Sequence, residues 1–307
     1  MMRMTNLARP TGSDLRAELG AALVSPHVRA ILLVASLMGY LLGFKTLLEH
    51  GILSLGGAGA IDALAYWTAG RSLLDGHAVY GIPVGGFTAY LYPPVFVQVV
   101  APFSALPLDV FVWAWRAFEL GCLRVAVGSW RNAGLAILLW PPVIAELDAG
   151  NVHLIVAAAV AMTIRGDARA LLPAVLTKFA SLAAVPAAIR LDRRGLLVGA
   201  GVALAASALS FALAPQLWHD YLAFITRATE PNSTGYNIGS FIWTPLRLGI
   251  ATGFALAAVA WPRLSVVAVT LAYPVLWLHG LSTLTALVAR PRNRRPGATD
   301  PSRRGSS

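Results

Sequence analysis

Apolar runs succeed one another from residue 30 to residue 290, with few charges inside them. Hydrocarbon offers the backbone no hydrogen-bond partner, so each buried segment must satisfy its own N–H and C=O groups. The runs are long and lack the strict alternation of barrel strands, which leaves an all-α polytopic membrane bundle as the expected fold class. Composition agrees: 57% of the 307 residues are hydrophobic and 12% charged, and mean hydropathy is +0.67, too little polar surface for a water-soluble core. The net charge of +10 then belongs to a membrane surface and not to nucleic acid. Arg3, Arg9, Arg16 and Arg29 precede the first run, and Arg290, Arg292, Arg294, Arg295, Arg303 and Arg304 close the chain, so both termini are expected on the cytoplasmic side. The single cysteine, Cys122, excludes an intramolecular disulfide or a cysteine-based zinc cluster.

Residues 30–48 read as a first span retained as an anchor, and 49–92 as an extracytoplasmic loop whose three acidic residues outweigh Arg71. Within that loop Leu64, Trp67, Arg71 and Leu74 recur at helical spacing, which predicts an interfacial helix over 62–74. Further spans are expected at 93–106, 108–130, 133–147, 151–164, 171–190, 196–215, 241–261, 264–277 and 280–290, a bundle of about nine or ten helices. Residues 216–240 form a second large extracytoplasmic loop, 1–290 a single domain, and 291–307 a disordered basic cytoplasmic tail.

Three polar residues stand out, each with an ordinary and a functional reading. Lys178 is the only charge between Leu171 and Ile189. It either snorkels or pairs with a carboxylate such as Glu119 or Glu146, or else it clamps an anionic lipid headgroup. His279 follows Pro274 and Trp277 at headgroup depth, as a hydrogen-bonded structural histidine or a site residue. Asp62 is either the N-cap of the interfacial helix or a general base.

Taken together these residues are more specific. Asp62-x-x-x-Tyr66, then Gly76, Tyr80 and Tyr92-Pro93-Pro94 running into an apolar span, resembles the first extracytoplasmic loop of glycosyltransferase family 87. Gly150-Asn151-Val152-His153, Lys178 and Pro274-x-x-Trp277-x-His279 follow in the family's order, and the likeness covers residues 30–285. Where the family tends to carry Gly-Gln-x-Asn, this chain has Gly150-Asn151-Val152-His153. The family also usually continues through more spans after the histidine.

The resemblance implies a GT-C-like fold and a plasma-membrane enzyme whose site faces the extracytoplasmic side. Such an enzyme transfers mannose from a polyprenyl-phosphate donor to a hydroxyl of a glycolipid or lipoglycan. A hydroxyl is a poor nucleophile at neutral pH, and Asp62 is the expected base. The departing phosphate gains negative charge, for which His279, Lys178 and Arg116 are the expected partners. Tyr66, Trp67, Tyr80, Tyr92, Trp277 and Asn151 are the expected substrate contacts. Backside attack would invert the anomeric centre, with no cofactor and no metal. The alternatives are a non-catalytic membrane protein that binds or translocates lipid-linked sugars, and an ordinary solute transporter. Phosphate-binding loops, dinucleotide fingerprints and the HExxH zinc motif do not occur.

Overall fold

The computed structural model describes residues 60–81, 89–227 and 241–290, together with the helical positions Val34, Leu37 and Leu41. Most of the expected first span, the 228–240 part of the expected second loop and the 291–307 tail lie outside the described residues. Those described are helical, with no strand among them: α1 (Ile61–Leu74), α2 (Pro94–Ser104), α3 (Leu108–Val127), α4 (Trp130–Leu139), α5 (Pro141–Ala149), α6 (His153–Ile164), α7 (Leu171–Val175), α8 (Val185–Leu213), α9 (Pro215–Arg227), α10 (Thr244–Ala257) and α11 (Leu264–Leu271). Two 3-10 segments, Phe179–Ala184 and Leu278–Val288, complete the set.

The centre is α6, a helix apolar on every side and buried along nearly its whole length, as such a helix must be. It packs against α3 and the Leu278–Val288 segment, and a core of Leu123, Leu154, Ile164, Leu171, Val266 and Tyr273 closes around it. A second cluster joins α1 to α2 and α3 through Tyr66, Tyr92, Phe96 and Phe111. Among the described residues one stretch, Phe179–Leu213, is long and apolar enough to cross a membrane. After Arg194 its outward side chains are apolar and bare, Leu204 being 71% and Leu213 73% exposed.

Several expected spans are broken, each for a local reason. The 133–147 span divides at Trp140, because Pro141 and Pro142 begin a new helix where a proline's missing N–H costs nothing. The 264–277 span stops at Leu271, ahead of Pro274. In the 171–190 span α7 ends at Val175 and Lys178 is extended, with φ −146 and ψ 122. Lys178 therefore sits between helices and not in the middle of one, which corrects its expected placement. The 171–190 and 196–215 spans then run together through α8, kinked at Asp192. There the Asp192 carboxylate accepts the N–H groups of Ala168 and Gly195, each at 3.0 Å, and caps the helix's second half. The 216–240 loop is also corrected in part, since its first half is the helix α9.

Arg247 on α10 is buried, at 1% exposure. Its guanidinium donates to the carbonyls of Leu271 and Pro274, both at 2.9 Å, and to that of Tyr273. Leu271 ends α11, and Tyr273 and Pro274 lie in the turn after it, so these carbonyls have no intrahelical N–H partner. Arg247→Ala should therefore destabilise the fold by about 3–5 kcal/mol, read as a fall in the thermal unfolding midpoint of the detergent-solubilised protein.

Candidate functional site

The N-cap position of α1 falls on Ala60, which takes a left-handed conformation, φ 56 and ψ 28, and donates its N–H to the Asp148 carbonyl at 2.7 Å. Asp62 thus lies one step inside the helix and is not its cap, against that expectation. Its carboxylate turns across to the α5–α6 turn, where Asn151 Nδ2 donates to Oδ2 at 2.6 Å. The close approach depends on Gly150, at φ 69: a Cβ there would stand 2.7 Å from the Cβ of Ala63.

Asn151 cannot present its amide the other way round. Its Oδ1 accepts the N–H of Val152 at 2.7 Å and the Tyr92 hydroxyl at 3.4 Å, which fixes the NH₂ end toward Asp62. Tyr66 in turn donates to the Tyr92 oxygen at 2.8 Å, and the two rings meet edge to face. The same Nδ2 lies 3.5 Å from His279 Nε2. One amide nitrogen therefore stands between the two residues that open and close the sequence pattern. Loss of water raises the Asp62 pKa to about 6, although the positive charge of Lys178 and the Asn151 hydrogen bond both act to lower it.

His279 enters from the turn held by Arg247, its ring stacked near that of Trp277 with centroids 6.4 Å apart. Beneath it the His153 ring lies 5.2 Å away. His153 Nδ1 meets Glu146 Oε2 at 2.8 Å, its backbone N–H donates to Glu146 Oε1 at 2.6 Å, and its Nε2 meets Lys178 Nζ at 2.7 Å. The ammonium also lies 5.2 Å from the centre of the Tyr273 ring. Sequence reasoning named Glu146 only as a possible partner of Lys178 and passed over His153. The signal available was a carboxylate and an imidazole seven residues apart, on either side of the Gly150 turn.

The structure thus gathers Asp62, Tyr66, Tyr92, Asn151, Lys178, Trp277 and His279 around one centre. The other three expected residues bond elsewhere. Arg116 donates to the Leu147 carbonyl at 3.0 Å and pairs with Asp148 at 3.7 Å, bracing the end of α5. Trp67 Nε1 donates to the Leu106 carbonyl at 2.9 Å. Tyr80 donates to the Tyr92 carbonyl at 2.9 Å and packs against Tyr221 and Phe224 of α9.

Glu146, His153 and His279 bring ligand-type atoms within 4.8 Å of one another. By residue type they could hold a metal ion. Both Glu146 oxygens are engaged by His153, however, and His153 Nε2 faces an ammonium, so an entering cation would have to displace Lys178.

An apolar groove of about 480 Å³ runs between α2 and α3, lined by Phe96, Val100, Phe103, Phe111 and Trp115. Leu176 and Thr177, the residues just before Lys178, line it too.

The family model of glycosyltransferase family 87 matches residues 90–298. No curated protein and no solved structure matches the chain. The matched stretch contains Tyr92, Asn151, Lys178, Trp277 and His279, whereas Asp62 lies before it and reaches the site through its bond to Asn151. A match over more than half of its length means that this chain belongs to glycosyltransferase family 87, a family of membrane glycosyltransferases.

Proposed function

We propose that the protein transfers a sugar, mannose, from a polyprenyl-phosphate donor to a hydroxyl of a glycolipid or lipoglycan in the plasma membrane. The reaction occurs at the extracytoplasmic side of a single GT-C-like domain spanning residues 1–290, with both termini in the cytoplasm. The observation that carries the reading is that a carboxylate and a histidine lie within 2.6 and 3.5 Å of the same Asn151 amide nitrogen. An inverting transfer needs a base on one face of the sugar and charge-stabilising donors at the leaving group on the other.

In this mechanism Asp62 accepts the proton of the acceptor hydroxyl as its oxygen bonds to the anomeric carbon. The bond from that carbon to the phosphate oxygen breaks on the opposite face, and the electron pair leaves with the phosphate. His279 and Lys178 stabilise the departing charge, with Arg116 as a more distant contributor to the positive field. Tyr66, Tyr92, Asn151 and Trp277 line the sugar; Trp67 and Tyr80 flank its entrance. The groove beside Lys178 suits the hydrocarbon of a lipid-linked substrate. The mechanism calls on no cofactor and no metal, because Lys178 supplies the positive charge at the departing phosphate and His279 a ring N–H.

Membranes carrying the protein, incubated with labelled polyprenyl-phosphate-mannose and lipoglycan acceptors, should form product. Asp62→Asn should lower the rate by about 10²–10⁴-fold while leaving expression and donor binding intact. Were the protein a non-catalytic binder or carrier of lipid-linked sugars, the same substitution would leave flux unchanged. The raised Asp62 pKa sets the sign of the pH dependence. The carboxyl keeps its proton up to about pH 6, so transfer should hold above that point and fall as pH drops through it, measured as initial rate over about two pH units on either side. EDTA should leave the rate unchanged.

A further inference from the structure

A lysine held in a low-dielectric wall needs a partner, yet a carboxylate bonded directly to it would cancel the charge that an anionic ligand needs. The surroundings of Lys178 resolve the conflict in an unusual order. The residue next to the ammonium is a neutral ring, and the carboxylate stands one residue further away.

The protonation pattern follows from the donors present. An ammonium has only N–H groups to offer, so His153 Nε2, 2.7 Å away, must accept. The ring proton then sits on Nδ1 and is donated to Glu146 Oε2 at 2.8 Å, while Glu146 Oε1 takes the backbone N–H of His153 at 2.6 Å. With both oxygens engaged, Glu146 holds the imidazole in one tautomer and one orientation. Lys178 donates no other hydrogen bond among the described residues, so two of its N–H groups remain for a ligand.

We infer that Glu146 and His153 are positioning residues for a phosphate-binding Lys178, the imidazole acting as a spacer that supports the ammonium without neutralising it. This rests on the reading of Lys178 as a partner of the donor phosphate. It adds two residues to that reading and says how the cation keeps its charge.

The test measures binding of farnesyl phosphate to the purified full-length protein in detergent, with uncharged farnesol as the control. Wild type should bind farnesyl phosphate more tightly than farnesol. His153→Phe and Glu146→Gln should each weaken farnesyl phosphate binding by about tenfold or more and leave farnesol binding unchanged. In the glutamine variant only one oxygen remains for two donors. His153→Gln, which can accept from Lys178 and donate toward Glu146, should restore most of the affinity. Because the two residues act through Lys178, the double variant His153→Phe/Lys178→Ala should be no weaker than Lys178→Ala alone.

Losses that multiply in the double variant would overturn the proposal, as would equal wild-type binding of farnesol and farnesyl phosphate. Equal weakening of both probes by His153→Phe would show a merely structural role and overturn it too. If His153→Phe fails to fold, the Glu146→Gln and His153→Gln measurements decide the matter by the same comparison. Normal binding behaviour in a protein that transfers no sugar would defeat the proposed function and leave this inference standing.

Discussion

The site is organised by one side-chain amide. Asn151 gives its NH₂ to Asp62 and faces His279 with the same nitrogen, while its oxygen is held by Val152 and Tyr92. That arrangement exists only because the chain turns left-handed at Gly150 and lets α1 approach within the reach of a short side chain. The Ala60 N–H on the Asp148 carbonyl ties the start of α1 to the same turn. Oδ2 of Asp62 is occupied by the amide, so the orientation of the carboxylate is set before any substrate arrives.

Around this centre the helices are short for the same reason that the site exists. Polar backbone and charged side chains at membrane depth are tolerated only where protein surrounds them or a cavity opens. Lys178 lies in an extended residue between α7 and a 3-10 turn, Asn151 between α5 and α6, and His279 just after the non-helical turn that follows α11. These three polar residues are thus attached to interruptions in helices, while beyond its kink at Asp192 α8 presents a long apolar outer face.

Much of this was legible in the sequence, and the limits of that legibility have physical causes. The apolar runs located most helices because burial and lipid contact both demand them, and the Pro-Trp-His element pointed to the segment bearing His279. Helix breaks at Pro141 and Pro274 follow from the missing N–H and the ring's steric demand. The break at Lys178 could not be read the same way, since no glycine or proline marks the position itself. Asp62 looked like a cap because acidic residues often are. The strained Ala60 took that position instead, held by a carbonyl 88 residues further along the chain. Glu146 and His153 were obscured because their meaning lies in a third residue, Lys178, brought to them only by the packing of α6 against its neighbours.

Arg247 gives the architecture a mechanical property. The three carbonyls it gathers flank Tyr273 and begin the arm that runs through Pro274 and Trp277 to His279. The imidazole is therefore suspended from α10, a helix distant from it in sequence. A tilt of α10 would swing this arm and turn the ring relative to Asn151, which makes α10 a lever on the candidate site.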